Sequence, residues 1–371
     1  MRIIDAEDRV EWDEFVTSHK EANFLQSWDF YEFHKSRGEE VIRRLVIADL
    51  EDIDDISELD LKRRKKGEEF IKRPARRTKK PYKIVAAYAG EVEHAKRGRH
   101  LAIAGGPILD WGDKKVVSAV FSDIREQTKK LNCVFARVRP QCEDTPENRE
   151  IFAENGLRKA PMYLSVEFAG VLDITKSEEE IMTGMRQRLR RALRKGAKND
   201  IKIEKSTDPK DIHKFYEIQL ETAKRHDFYA FSEDFLTKQF KAFAENDEAV
   251  LYTAKKDGKI LAQNFMIFYG NEASYHYGVS SELGTKLSGA PLLHMEAMRD
   301  ARKRGIGRYN LWGIVGEEET KHRFYGVSVF KRGFGVEELH YLNARDLVVK
   351  PIPYYLKTYI IETIRRKVRH V

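Results

Sequence analysis

The chain has 371 residues, 41% hydrophobic and 11% aromatic, enough to bury a sizeable core and, by length, to divide into two domains. Lys and Arg outnumber Asp and Glu by 68 to 60, a net charge of +8 that favours anionic partners such as RNA, nucleotide diphosphates or a membrane face. No apolar run reaches the roughly 18 residues of a membrane span, acids stand near the amino terminus where a secretory signal needs apolar residues, and 11 scattered histidines with two isolated cysteines give neither metal-ligand spacing nor a disulfide framework. A cytoplasmic protein without a metal is expected.

In chain order, Val10, Trp12, Phe15 and Val16 recur at helical spacing, and Ser27 then caps a second short helix that carries Trp28, Tyr31 and Phe33 and ends at Gly38. A strand through Leu45 follows. From 51 to 80 the chain holds eleven Lys/Arg and eight Asp/Glu with few apolar residues, a composition that reads as a loosely ordered insertion. Strand patterns resume at K-I-V-A-A-Y-A-G and H-L-A-I-A-G-G-P, followed by a helix over about 114–131, the strand C-V-F-A-R-V-R, a helix closed by Gly156 and a strand M-Y-L-S-V-E-F. Sheets fed by helices make this an α/β (α+β) fold.

Ser177 with Glu180 forms a capping-box pattern, and Ile181, Met185, Leu189 and Leu193 recur every four residues, predicting one helix over 177–198. Its other faces carry Arg186, Arg188, Arg190, Arg191, Arg194, Lys195 and Lys198 with no acid between Glu180 and Asp200, which suits a surface that tracks phosphates as well as it suits an exposed helix. Two helices, a three-strand meander from A-V-L-Y-T-A-K to A-S-Y-H-Y-G-V-S, a helix ending near Gly305 and the strand R-Y-N-L-W-G come next. A basic amphipathic helix over 354–370 closes the chain. The element order of 83–168, with the strand near Leu45, repeats over 249–342 and implies an internal duplication with a ligand cleft between the copies. The boundaries read as 1–168, 169–345 and a C-terminal strand and helix, 346–371, packing back on the first domain.

The octamer S-V-F-K-R-G-F-G, Ser328 to Gly335, sets two cations beside two glycines, which by itself suits either an ordinary loop between a helix and a strand or a turn that gathers amides and charge on a phosphate. Together with L-Q-S-W-D-F-Y-E-F-H-K-S-R-G, M-R-Q-R-L-R-R-A-L-R-K-G, E-T-A-K-R-H-D-F and Y-G-V-S-S, it makes the chain resemble, over nearly its whole length, the Fem-type aminoacyltransferases that build peptidoglycan cross-bridges. The chain lacks that family's coiled-coil arm and so resembles its short members. The resemblance implies two tandem domains of the Gcn5-related N-acetyltransferase fold, aminoacyl-tRNA as co-substrate with no other cofactor, and a UDP-linked or lipid-linked muropeptide precursor as acceptor at, or close to, the inner face of the cell membrane. It assigns Lys331 and Phe330 to catalysis, Lys331, Arg225, Gly333, Gly335, Tyr277 and Lys35 (with His34 an equal match) to the precursor, and Arg186, Arg190, Arg194, Lys195 and Lys198 to tRNA.

An aminoacyl ester is already activated, so positioning and oxyanion stabilisation can carry the transfer without a covalent intermediate. Candidates to take the proton are Asp110, Asp227 and Glu318, with the leaving ribose hydroxyl of the tRNA as a further one. Two rival readings are an acyltransferase of the same fold using a coenzyme A thioester, and a non-catalytic RNA or lipid-surface binding protein. The short G-I-G after Arg304 weakens the first.

Overall fold

The computed structural model describes residues 1–49, 82–95, 98–226 and 229–369; the charged segment read over 51–80, and Asp227, lie outside the described residues. The chain forms β1 (Arg2–Asp5), α1 (Arg9–Thr17), α2 (Trp28–Ser36), β2 (Val41–Asp49), β3 (Tyr82–Ala95), β4 (Gly98–Ala104), β5 (Ile108–Leu109), α3 (Lys114–Lys130), β6 (Phe135–Arg139), α4 (Pro146–Glu154) and β7 (Leu157–Lys159). It continues with β8 (Phe168–Asp173), α5 (Glu178–Gly184), α6 (Gln187–Ala197), β9 (Lys202–Ser206), α7 (Ile212–His226), α8 (Glu233–Ala244), β10 (Ala249–Lys256), β11 (Lys259–Tyr269) and β12 (Glu272–Ser280). The last elements are α9 (Glu282–Leu287), α10 (Gly289–Lys303), β13 (Arg308–Gly313), α11 (Tyr325–Arg332), β14 (Glu337–His340), β15 (Arg345–Val348) and α12 (Ile360–Arg369), the last preceded by a wide π turn, Tyr354–Tyr359.

Two sheets result. One runs β1-β2-β3-β4-β6-β15-β7 with β5 on β3, the other β9-β10-β11-β12-β13-β8-β14, and both contain one parallel pair, β4 with β6 and β12 with β13. The same strand order in each half is the duplication expected from sequence, with one feature that periodicity could not reveal. In each sheet the strand next to the far edge comes from the chain segment that follows the other half: β8, after the first copy, enters the second sheet between β13 and β14, and β15, after the second copy, enters the first between β6 and β7.

Strand alternation sorts side chains onto the faces. Along β3, Ala86 and Tyr88 face α3, while Ala87 and Ala89 join Trp12, Phe24 and Tyr31. Along β11, Phe265, Ile267 and Tyr269 enter that same cluster with Ile212, Phe215 and Phe240, while Met266 and Phe268 turn to α6 and α10. A single core therefore fills the space between the sheets where a ligand cleft was expected. Asp29, Arg9, Asn246 and Tyr269 weld its rim, through Arg9 to Asp29 at 2.8 Å, Asn246 to Asp29 at 2.9 Å and Tyr269 to Asp13 at 2.7 Å.

Two sequence readings need correction. The segment M-Y-L-S-V-E-F is irregular, and its strand begins only at Phe168. The helix read over 177–198 is two helices, capped by Ser177 with Glu180 as expected but broken where Met185 and Arg186 take extended conformations, ψ 147° and 142°. The four-residue apolar period runs through the break without a fault, because Ile181, Met185, Leu189 and Leu193 are all buried.

Candidate active site

β12 and β13 are held together at one end and part at the other. Only Glu272–Ser274 pairs with Arg308–Asn310, and buried Glu272 ties the joint, accepting from Ser274 Oγ at 2.7 Å and Asn310 Nδ2 at 3.1 Å and lying 3.0 Å from Arg308 Nε. Beyond it a bulge at His276 on β12 and a left-handed Trp312, φ 64°, on β13 bend the strands apart. Trp312 is a β-branch-free residue in an unusual conformation, stabilised by its amide donating to Asn310 Oδ1 at 2.8 Å. The equivalent pair in the first half, β4 and β6, stays in step from His100–Phe135 to Ala104–Arg139. The opening belongs to the second half alone.

α11 packs against this opening. The octamer does not form the phosphate loop expected from its glycines: Ser328 to Arg332 is helical, and the two cations point to different environments. Arg332 is tied down, with Nε and Nη2 donating to Glu338 at 2.6 and 2.9 Å and Nη2 to Val315 O at 2.7 Å, while its buried Nη1 has no partner among the described residues. Lys331, only 6% exposed, donates to Gly313 O at 2.7 Å, and its amine lies 5.6 Å from the centre of the Tyr275 ring. No carboxylate pairs with it among the described residues. Burial alone lowers its pKa to about 7. Beside it, His294 sits 2.8 Å from the Tyr309 hydroxyl, and burial followed by the charge of Lys331 lowers it to about 3, so this wall is uncharged. Phe330 and Phe334 pack on the His294 ring.

The glycines serve packing. Gly333 O accepts the Arg186 amide at 2.8 Å, and a Cβ on Gly335, φ 79°, would stand 2.5 Å from Gly184 O. The turn after Lys331 thus plugs the break between α5 and α6, which explains why that helix is interrupted.

Tyr277 lies in another group, its ring against His276 and Phe231, with Phe231 stacked on Phe235 and Phe235 against Phe33 and Arg37 of the α2 end. Lys35 on α2 is exposed and pairs with Glu32 at 3.2 Å. His34, its alternative, is buried and bonded to Glu39. Burial opposes its protonation, but Glu91 and Glu39 outweigh that and raise its pKa, which marks it as part of an internal ion cluster. The Arg225 side chain lies outside what the structure describes. Asp110 and Glu318 are exposed, with no link to Lys331.

On α6, Leu189, Leu193 and Gly196 face inward, and a Cβ on Gly196 would meet Leu292 at 2.9 Å. Arg186, Arg194, Lys195 and Lys198 are exposed; Arg190 is half-buried and donates to Thr183 O at 2.9 Å. Sequence reasoning missed Tyr275, His294 and Asn264. Asn264 is 1% exposed, stands opposite Gly278 in register, and neither of its amide atoms has a partner among the described residues. A polar residue inside a strand was the available signal. Gly278 is required there, since a Cβ would fall 1.7 Å from the Tyr275 hydroxyl.

A family model described as an acetyltransferase (GNAT) domain matches residues 183–325. Among curated proteins, aminoacyltransferase FemA of Staphylococcus epidermidis is 20% identical over 331 aligned residues, covering 67% of this chain and 78% of that protein. FemB of the same species is 29% identical over 115 residues, 30% of this chain and 27% of FemB. Among solved structures, that of FemX matches with a TM-score of 0.78 at 17% identity, covering 96% of this chain and 99% of FemX. A tandem GNAT protein from the clavulanic acid biosynthesis pathway matches with a TM-score of 0.53 at 11% identity, covering 94% and 98% of the two chains. With two sheets of one strand order and a buried amine at the parting of the second, the chain has the fold of two GNAT-like units and is similar in sequence to the aminoacyltransferases FemA and FemB.

Proposed function

We propose that the protein transfers an amino acid from aminoacyl-tRNA to an amine on the peptide stem of a UDP-linked or lipid-linked peptidoglycan precursor, working at the cytoplasmic face of the cell membrane. The observation that carries this reading is the Lys331 amine, buried where β12 and β13 part with no counter-ion among the described residues. A buried amine of this kind gains most from an anion entering the site, whether a diphosphate or the oxyanion that develops as the ester carbonyl is attacked.

In the transfer, the acceptor nitrogen forms a bond to the ester carbonyl carbon, and the bond from that carbon to the ribose oxygen of the tRNA breaks. The nitrogen's proton leaves with the ribose hydroxyl. Lys331 holds negative charge, while Phe330, Tyr275 and His294 keep the surroundings free of competing charge. The exposed cations of α6 support a tRNA surface, because Arg186 at the N-cap and Arg188 in the first turn oppose the helix dipole and so weaken the helix they sit on.

The test is incubation of the protein with mixed charged tRNA and a muropeptide precursor, followed by mass spectrometry of the precursor. A gain of one amino-acid residue is expected. The acetyltransferase match over 183–325 favours one competing donor, a coenzyme A thioester, so a gain of an acetyl group from acetyl-CoA, with none from charged tRNA, overturns the reading.

A further inference from the structure

The C-terminal segment has two faces. Tyr354, Thr358 and Glu362, four residues apart, are fully buried against the first sheet, with Tyr354 donating to Asp346 at 2.8 Å and Glu362 bound to Arg137 at 2.7 Å. On the other side Ile352, Leu356, Ile360 and Ile364, also four apart, are 73, 67, 48 and 55% exposed, flanked by Tyr355 and Ile361. Among the described residues, sixteen large apolar side chains are exposed, and six of them fall on this short segment. Exposure so concentrated marks a surface that something covers.

Charge says what. Glu362 is the only acid between Pro351 and Arg369, and Arg137 takes it inward. What remains is of one sign: Lys357 is exposed, Arg365 is half-buried beside Glu93, His100 and Arg137, and the sequence continues with Arg366, Lys367 and Arg369. A second copy of the chain would bring these like charges together. RNA would satisfy the cations and leave the isoleucines in water. An interface that is anionic outside and apolar a few ångströms deeper matches both parts at once.

We infer that the segment Pro351–Arg369 docks the enzyme on an anionic lipid surface, with Ile352, Leu356, Ile360 and Ile364 entering the acyl boundary and Lys357 meeting the headgroups. The inference rests on the proposed function only in taking the membrane face as the place of work. The segment is fixed to the first unit and α6 lies on the second, so the lipid-facing and RNA-facing cations are separate surfaces.

The test is sedimentation of the full chain with vesicles of phosphatidylcholine mixed with phosphatidylglycerol, and with phosphatidylcholine alone, in the absence of tRNA and precursor. Wild type is expected to bind the mixed vesicles, to lose affinity as salt rises, and to bind roughly fivefold more weakly for each cation removed, as in Lys357→Gln. L356S/I360S is expected to lose at least about tenfold in affinity with an unchanged melting temperature and unchanged transfer to a soluble precursor. The inference is overturned if wild type ignores mixed vesicles, if L356S/I360S binds them as wild type does, or if wild type is a dimer in solution that L356S/I360S converts to a monomer. Because vesicle binding is read without the reaction, failure of the transferase reading would leave this result intact, and the reverse also holds.

Discussion

A lysine amine held in a protein interior without a carboxylate sheds its proton more readily than one in water, and Lys331, brought to about 7 by burial, changes charge within the working range of pH. Between that value and the ordinary lysine value of 10.5 the folded chain binds fewer protons than the unfolded chain, so Lys331 makes stability rise with pH across this window. Glu248, whose carboxyl burial pushes up to about 9, has the opposite slope below that pH. Subtracting the urea midpoints of Lys331→Met from those of wild type isolates the lysine. The difference is expected to move in favour of wild type from pH 7 to pH 10, and a flat difference would show that the amine is hydrated. On the proposed role of Lys331 in holding substrate charge, Lys331→Met is expected to lose a charge-assisted contact worth about 1.5–3 kcal/mol, a fall in kcat/KM of roughly tenfold to somewhat over a hundredfold. If the loss sits in KM for the precursor, Lys331 holds phosphate; if it sits in kcat, it stabilises the oxyanion. Transfer at the wild-type rate by a folded variant would remove Lys331 from the site. Arg332, though adjacent, is no control for such an experiment, because its loss would strand Glu338.

At the scale of elements, α6 and the β6, β15 and α12 junction make separable predictions. Replacing exposed Arg191 and Arg194 with Glu is expected to weaken tRNA binding and to flatten its dependence on salt by roughly 0.7 to 0.9 units of slope per lost phosphate contact; filter binding over a salt series reads this, and an unaltered slope excludes α6. Arg137, 1% exposed, is bidentate to Asp346 at 2.7 and 2.8 Å and meets Glu362 at 2.7 and 3.1 Å. Arg137→Ala leaves two buried carboxylates without a cation and is expected to cost about 3–5 kcal/mol in urea unfolding; a loss below about 1 kcal/mol would mean that water compensates them. These elements also show where sequence stops. Amphipathic periods and caps placed nearly every helix, since Ser27, Ser177 and Ser232 accept from amides three residues on as their spacing demands. The break at Met185 was hidden because its cause, the Gly333–Gly335 turn, lies about 150 residues away in sequence. The octamer was legible as important and illegible in role, since a helix end and an anion loop use glycine and cations alike.

For the whole molecule, the exchanged strands decide what can stand alone. Without β15 the first sheet would leave β6 and β7 unpaired with each other, and without β8 the second would leave β13 and β14 so. A fragment of residues 1–160, expressed by itself, is expected to show no cooperative thermal transition by circular dichroism, although the repeated element order read from sequence suggests two independent domains. A sharp transition in that fragment would mean that β6 and β7 close on each other directly. Sequence could show the duplication because each copy preserves its own order of elements. The boundaries read from sequence already send the C-terminal strand back to the first domain; what the order of elements does not show is that β15 enters between β6 and β7, and β8 between β13 and β14.

The exchange also sets a clock on synthesis. Arg137 leaves the ribosome 209 residues before Asp346, the residue that neutralises it from the neighbouring strand. At roughly 10 residues per second that is about 20 s in which the nascent first half carries a charged, open strand edge. The protein's vulnerable period is therefore its own translation, and a strain short of nascent-chain chaperones should accumulate it as aggregate even where the finished enzyme is stable.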